Sequence, residues 1–439
     1  MAVLVFVTLS GLIFIGKVTR MKAPFLQRLY LPSSVVGGAI GLIALSLLGE
    51  RVDAEFVGAM RKVPGFLINV VFATLFLGAV TPKLKSVLKI AFPQLCLGQI
   101  MAWGQYAVGL GLAGFVLSRY CNVPPAFGNL LEIGFEGGHG TVGGMTESFI
   151  AFGWEDGVAL GLTVATVGMV LGIVVGMALV NWAHKRGIVR QVMSFGDRKA
   201  HERKGIHLAD ARPSAGVQTV MCDSVDSLAW HLAIVGVSIA IGAGIHALIP
   251  IEGFPLFPLC MIGGILLEGG VRKFGGDLLV DRVQMERISG ASLDYLVVSA
   301  VATIRLDVVA ENWLPLLVLV VFGSAWSIGV VLYFGPRLFK EAWFERSIAD
   351  FGQATGVTAT GLMLLRTVDP ENKTCAAASF GYKQLLHEPI MGGGLWTALA
   401  LTLVYKWGWQ PVFLVSLGML IAWIVLARFT VWQKPGSSR

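Results

Sequence analysis

The run Gly134–Ser148, G-F-E-G-G-H-G-T-V-G-G-M-T-E-S, places six glycines between Gly134 and Gly144. It lies in a chain that is 55% hydrophobic and only 14% charged, whereas a soluble domain carries about 25% charged residues. The chain therefore reads as an all-α polytopic membrane protein. The run itself does not fit an ordinary membrane helix, because each glycine costs about 1 kcal/mol in a helix relative to alanine. In hydrocarbon, broken backbone is tolerated only where protein buries it or where it lines a wet cavity. Glu136, His139, Thr141, Thr146 and Glu147 add side chains that are expensive at membrane depth. Either the run lines an ion or anion site inside the membrane, or it is a loop outside the bilayer.

A second run decides between these. Asp350–Gly361 reads D-F-G-Q-A-T-G-V-T-A-T-G. At a constant offset of 216, Phe135 falls on Phe351, Gly140 on Gly356 and Glu155 on Glu371. Earlier in each half, at an offset of 226, Pro32, Gly37 and Gly38 fall on Pro258, Gly263 and Gly264. Matches in one order with nearly one offset indicate an internal repeat. Glycine-interrupted apolar segments at matching places in two halves point to a transporter binding site.

A spanning helix needs about 20 apolar residues. Candidates fall at about 1–16, 32–49, 64–80, 90–118 and 157–182, with the first interrupted segment at 126–150. The second half repeats this at about 228–249, 255–270, 290–304, 312–334 and a long helix at 374–404, with the second interrupted segment at 347–366. A further helix at 410–432 has no counterpart. The organisation expected is thus a first repeat over 1–182, a basic linker over 183–227, a second repeat over 228–404 and an extra helix and tail over 405–439. The apolar run Ala2–Ile15 has no basic region before it and is expected to be a retained first helix rather than a cleaved signal.

Orientation follows from Lys and Arg. If segment 126–150 crosses the membrane, the basic linker falls on the side opposite Lys17–Arg28 and Lys83–Lys89. If both interrupted segments are re-entrant hairpins, the conflict disappears and the two five-helix repeats are inverted. The inside loops then hold most of the 34 Lys and Arg. The outside loops hold Arg51, Arg61, Lys62, Arg119, Arg305 and Lys406. This arrangement puts the N-terminus outside and the C-terminus in the cytoplasm, across a cell inner (plasma) membrane. The net charge of +7 thereby reflects topology and not nucleic acid. Five scattered cysteines with no C-x-x-C pattern suggest neither a disulfide framework nor a zinc site.

At Gly137-Gly138-His139-Gly140-Thr141 the chain resembles the sodium/glutamate symporter family. The resemblance extends to the Pro32–Gly38 helix start and to the repeat layout. The family's second half usually shows a Gly-Ala-Thr-Pro-Thr type sequence. Here the matching stretch is Thr355-Gly356-Val357-Thr358-Ala359-Thr360-Gly361, without the proline, and Arg366 follows. The resemblance implies sodium-coupled uptake of glutamate or a related small anionic amino acid, by a homodimer in the lipid bilayer and with an elevator-like motion. It implies no cofactor beyond sodium as coupling ion.

Half-helix N-termini suit a carboxylate, and unwound carbonyls with Thr hydroxyls suit sodium. The substrate-contact candidates are Gly138, His139, Gly140, Thr141, Gln353, Thr355, Gly356 and Arg366. The sodium candidates are Glu136, Thr358 and Thr360. Each Thr hydroxyl has the alternative of bonding back to its own helix. His139 has the alternative of locking the hairpin, and Arg366 that of anchoring at the membrane surface beside Asp369. Glu132 and Glu147 are ion ligands or hold the fold. Asp294, Arg305 and Asp307 read as interfacial charges. A proton-coupled antiporter or exporter using Glu136 and His139 remains an alternative. A membrane-embedded enzyme is a weaker one, since one active site needs no matching interruption in the other half.

Overall fold

The structure is a computed structural model that describes residues 1–79, 84–189, 192–193, 195–248, 251–273 and 279–433. Lys83 and the tail beyond 433 lie outside the described residues, and nothing is said of the side chains of Lys85 and Lys89. Among the described residues there are helices and no strands. In chain order the main helices are α1 (Ala2–Lys22), α2 (Ser33–Leu48), α3 (Ala54–Thr74), α4 (Leu84–Leu112), α5 (Leu130–Phe135), α6 (Gly138–Gly144), α7 (Thr146–Ala151) and α8 (Asp156–Lys185). They continue as α9 (Ser227–Leu248), α10 (Phe257–Lys273), α11 (Arg282–Ala302), α12 (Trp313–Leu338), α13 (Trp343–Val368), α14 (Ala376–His387), α15 (Leu395–Trp407) and α16 (Trp409–Thr430). Seven of the described helices are long and apolar enough to cross a membrane, among them α1, α8, α12 and α16; α2 is apolar but shorter.

Boundaries differ from expectation at several helices, two of them for the following reasons. The third span begins at Ala54 rather than at Pro64, because the Asp53 carboxylate accepts from the amide of Glu55 at 2.9 Å and caps the helix there. Pro64 is accommodated inside it. The long helix expected over 374–404 is two helices, α14 and α15. Pro389 offers no N–H to continue the ladder, and Gly392 and Gly393 take positive φ.

The chain divides into two compact units, each drawn from both halves. One comprises Met1–Thr81, Gly143–Gly153 and Lys199–Ile304; the other comprises Pro82–Val142, Trp154–Arg198 and Arg305–Arg439. In the first unit, Val70, Ala73 and Leu77 of α3 and its end pack with Ile234 and Val235 of α9, Cys260 of α10 and Met285 and Ile288 of α11. Lys17, at the basic end of α1, donates to the carbonyls of Lys204 at 3.3 Å and Gly205 at 2.8 Å. Lys204 and Gly205 of the linker therefore lie at the Lys17 end of α1.

The glycine pairs Gly37-Gly38 and Gly263-Gly264 lie at close helix contacts in the same unit. A β-carbon at Gly37 would lie 2.3 Å from the Leu12 carbonyl, and one at Gly263 would lie 2.1 Å from that of Ser238. Leu12 and Ser238 differ by the same 226 positions as Gly37 and Gly263. Gly38 likewise abuts the Val298 carbonyl of α11 at 3.1 Å, and Gly264 abuts the Ala73 carbonyl of α3 at 2.5 Å. Small residues let membrane helices approach this closely.

In the second unit α8 is the long support. It packs along α5 and α13. Within α13 the backbone leaves helical geometry at Gly356 and Val357. Val357 has φ 61° and ψ 173°, a region that costs a β-branched residue about 1–3 kcal/mol. A β-carbon at Gly352 would lie 2.7 Å from Gly361 Cα, and one at Gly361 would lie 2.4 Å from the Ala349 carbonyl. In one straight helix, residues nine apart are separated by about 13.5 Å. The first interruption lies between α5 and α6, where Gly138 takes φ 69°.

Candidate functional site

The site lies in the second unit, where both interruptions, α4 and α14 converge. Each element presents polar side chains on one face. Residues 94, 99, 103 and 106 of α4 follow spacings of five, four and three. Glu132 and Glu136 are four apart at the end of α5; Arg346, Asp350 and Gln353 are four and three apart on α13; Lys383 and His387 are four apart on α14. Spacings of three and four stack side chains on a helix, and every one of these charged side chains is buried.

Hydrogen bonds order them into one chain. Trp103 Nε1 donates to Gln99 Oε1 at 2.8 Å, which fixes that amide. Gln99 Nε2 then donates to His387 Nδ1 at 3.0 Å, so the proton of a neutral His387 sits on Nε2. That nitrogen donates to Glu136 Oε1. Gln353 Nε2 donates to the same oxygen at 3.2 Å, and Gln353 Oε1 accepts from Lys383 Nζ. The Lys383 ammonium also donates to Gln384 Oε1 at 3.1 Å and lies 3.4 Å from Asp350 Oδ1. Asp350 Oδ2 accepts from Gln94 Nε2 at 2.8 Å, and Gln94 Oε1 accepts from Arg346 Nε at 2.9 Å.

Glu132 stands one turn before Glu136 and is held separately. Its carboxylate accepts from Tyr106 Oη at 2.6 Å, from Thr397 Oγ1 at 2.9 Å and from the Gly392 amide at 2.8 Å. The break between α14 and α15 supplies that amide. By contrast, Glu136 Oε2 is buried without a hydrogen-bond partner. The two interruptions meet two residues further along the chain: a β-carbon at Gly138 would lie 2.4 Å from Val357 Cγ1.

The other residues singled out from the sequence fall as follows. Gly138, His139, Gly140, Thr141, Gln353, Thr355, Gly356 and Thr360 are buried, Thr358 is half-buried and Arg366 is exposed. His139 Nε2 meets Thr166 Oγ1 at 2.9 Å. The hydroxyls of Thr141, Thr355 and Thr360 donate to the carbonyls of Gly137, Phe351 and Gly356. Thr358 Oγ1 donates to Glu388 Oε1 at 3.0 Å and accepts from Gln384 Nε2 at 2.6 Å. Arg305 pairs with Asp156 at 2.9 Å and with Asp307 at 2.8 Å, about two-fifths exposed. Glu147 and Asp294 are exposed.

A family model described as sodium/glutamate symporter matches residues 2–337. The chain belongs to the sodium/glutamate symporter family. A search among curated proteins returns no match. As a member of this family the symporter is a membrane transporter and not an enzyme, and sodium is the coupling ion that the family implies. The matched stretch contains Glu132, Glu136 and His139 and stops at the end of α12. The α13 interruption, Lys383 and His387 lie beyond it.

Sodium needs hard oxygen ligands. The symporter's residues fit it at Glu136, whose Oε2 is a buried carboxyl oxygen without a hydrogen-bond partner. A hydroxyl that has donated its proton to a carbonyl still has lone pairs to offer, which leaves Thr360 Oγ1 competent as well. Thr358 Oγ1 is already engaged as both donor and acceptor.

The sequence analysis missed Lys383, His387, Gln99 and the role of Asp350. The signal was present: Lys383-Gln384-x-x-His387-Glu388 at membrane depth is costly unless its groups are paired.

Proposed function

We propose that this symporter couples sodium to the uptake of glutamate or a related small anionic substrate at the meeting point of its two interrupted segments. The observation that carries the proposal is Glu136 Oε2, buried and unpartnered two residues before Gly138, where the first interruption abuts Val357 of the second. Glu136 and the Thr360 hydroxyl would hold the sodium, with Thr358 entering only if Glu388 and Gln384 release it. The ion supplies positive charge beside the substrate carboxylates. The backbone at Gly138, Gly140 and Gly356 approaches the substrate closely. The lone pairs of Thr141 and Thr355 accept from a substrate ammonium. His139, bonded to Thr166, locks the first segment. Gln353 positions Glu136, and the exposed Arg366 anchors at the membrane surface.

The proposal includes re-entrant hairpins in inverted repeats. Support for the second hairpin is the approach of Gly352 to Gly361. Support for the repeats is the matched contacts of Gly37 with Leu12 and Gly263 with Ser238. Support for the first hairpin is the Lys17–Gly205 hydrogen bond, which puts Gly205 of the linker at the Lys17 end of α1. A fully crossing 126–150 segment would place the linker opposite. The symporter would then lie in the inner (plasma) membrane with its N-terminus outside and its C-terminus cytoplasmic. It would work as a homodimer whose unit holding both interruptions carries the substrate in an elevator-like motion. The linker over 183–227 joins the repeats 1–182 and 228–404, with 405–439 as the added helix and tail.

One charge crossing 100 mV is worth about 2.3 kcal/mol. A substrate of charge −1 is therefore assisted by a negative-inside potential only when at least two sodium ions accompany it. The test is calorimetric titration of glutamate into purified symporter in sodium chloride and in choline chloride. Binding that strengthens with sodium is expected; equal binding in both salts overturns the sodium coupling.

A further inference from the structure

We infer that Lys383 is a tethered cation, its ammonium filling an oxygen cage that a monovalent metal ion would otherwise hold. Three oxygens surround Nζ: Asp350 Oδ1 at 3.4 Å, Gln384 Oε1 at 3.1 Å and Gln353 Oε1. Lys383 and Asp350 are each 1% exposed. The two amide oxygens accept from the ammonium, and the buried Asp350 carboxylate lies at ion-pair distance from it. The opposite wall is cut away to admit the side chain: a β-carbon at Gly98 of α4 would lie 2.3 Å from Lys383 Cε. One carboxylate and two amide oxygens form a hard donor set of the kind that binds alkali cations. Asp350 and Gln353 lie six and three residues before Gly356, on the first arm of the second interrupted segment.

A charge carried on a side chain goes round the transport cycle with the protein and draws nothing from an ion gradient. The cage therefore acts as a cation site that is permanently loaded. The sodium of the proposed mechanism binds elsewhere, at Glu136. This inference rests on that mechanism for the location of the site, but not on any sodium response of the wild type.

Its test uses cation alone as probe. Purified wild type, Lys383→Ala and Lys383→Ala/Asp350→Asn are unfolded thermally in choline chloride and in lithium, sodium or potassium chloride at constant ionic strength. Removal of the ammonium leaves Asp350 buried and unpaired, which is destabilising. Lys383→Ala should therefore unfold lower than wild type in choline, and at about 200 mM of at least one alkali cation its midpoint should rise by about 2 °C or more. The response should saturate and exceed any response of the wild type. It should vanish in the double variant, which lacks the carboxylate. A Lys383→Ala curve parallel to that of wild type in every salt overturns the inference and leaves Lys383 as a structural ion pair. A Lys383→Ala protein that cannot be folded in any cation overturns it too, since a cation is required to replace the ammonium. A wild type indifferent to sodium would count against the proposed coupling but not against the difference between wild type and variant.

Discussion

Gly138 and Val357 touch across the two interruptions: a β-carbon at position 138 would lie 2.4 Å from Val357 Cγ1. Both residues have positive φ, 69° and 61°, so each interruption is tight at the point of contact. Gly138→Ala meets two obstacles. The left-handed backbone costs an L-residue about 1–2 kcal/mol, and the added methyl overlaps Val357. The variant should reach the membrane but lose at least about ten-fold in uptake, a factor worth about 1.4 kcal/mol. Quantitative blotting beside labelled-substrate uptake separates the two effects. Wild-type uptake by Gly138→Ala would remove this contact from the site.

Glu136 accepts from His387 and Gln353 through one oxygen and leaves the other unpartnered. Glu136→Gln keeps an oxygen for both donors and deletes the charge. The protein should stay folded, while the midpoint of the sodium titration of substrate binding rises by about ten-fold or more, since hydrogen bonds and contacts to charged groups are the strong ones. An unchanged sodium midpoint would move the ion site away from Glu136.

Asp369 closes the end of α13 outside the membrane-spanning segments. Burial by itself raises its carboxyl, but the Thr374 hydroxyl and the amides of Thr374 and Lys373 outweigh burial and hold it below its ordinary value. A carboxylate depressed on folding stabilises fully above its unfolded value, about 3.9, and loses that contribution as pH falls through the folded value. Asp369→Asn should therefore unfold at lower temperature than wild type from pH 7 to pH 5, with the gap closing below about pH 4. A gap that widens in acid would contradict this turn.

Cysteine labelling tests the sidedness carried by Lys17 and Gly205. Single cysteines at positions 201 and 207 should react from the cytoplasm only, and one at position 153 from outside only. Labelling of position 201 from outside would exclude a re-entrant first segment.

The glycine pairs were the most legible part of the sequence. Gly37-Gly38 and Gly263-Gly264 were found by offset alone and make matching contacts, because close helix approach leaves no residue type but the smallest. The positions of both interruptions were legible for a similar reason, since glycine runs cannot continue a helix. The break between α14 and α15 was not, because Pro389 and Gly392–Gly394 sit between apolar runs that suggest one long helix. The composition of the two units was also hidden. Membrane helices are apolar on most faces, so periodicity does not say which distant segments pack together. The polar chain from Trp103 to Arg346 needed the fold to bring α4, α5, α13 and α14 to one place. Its costliest members, Lys383 and His387, were nonetheless readable as buried groups requiring partners.

The most direct measurement is uptake of labelled glutamate and aspartate into proteoliposomes under an imposed sodium gradient, with choline replacing sodium in the control. The account predicts accumulation with inward sodium, its loss in choline, and its enhancement by a negative-inside potential. Absence of uptake above empty liposomes in either salt, or equal uptake in both, would contradict it.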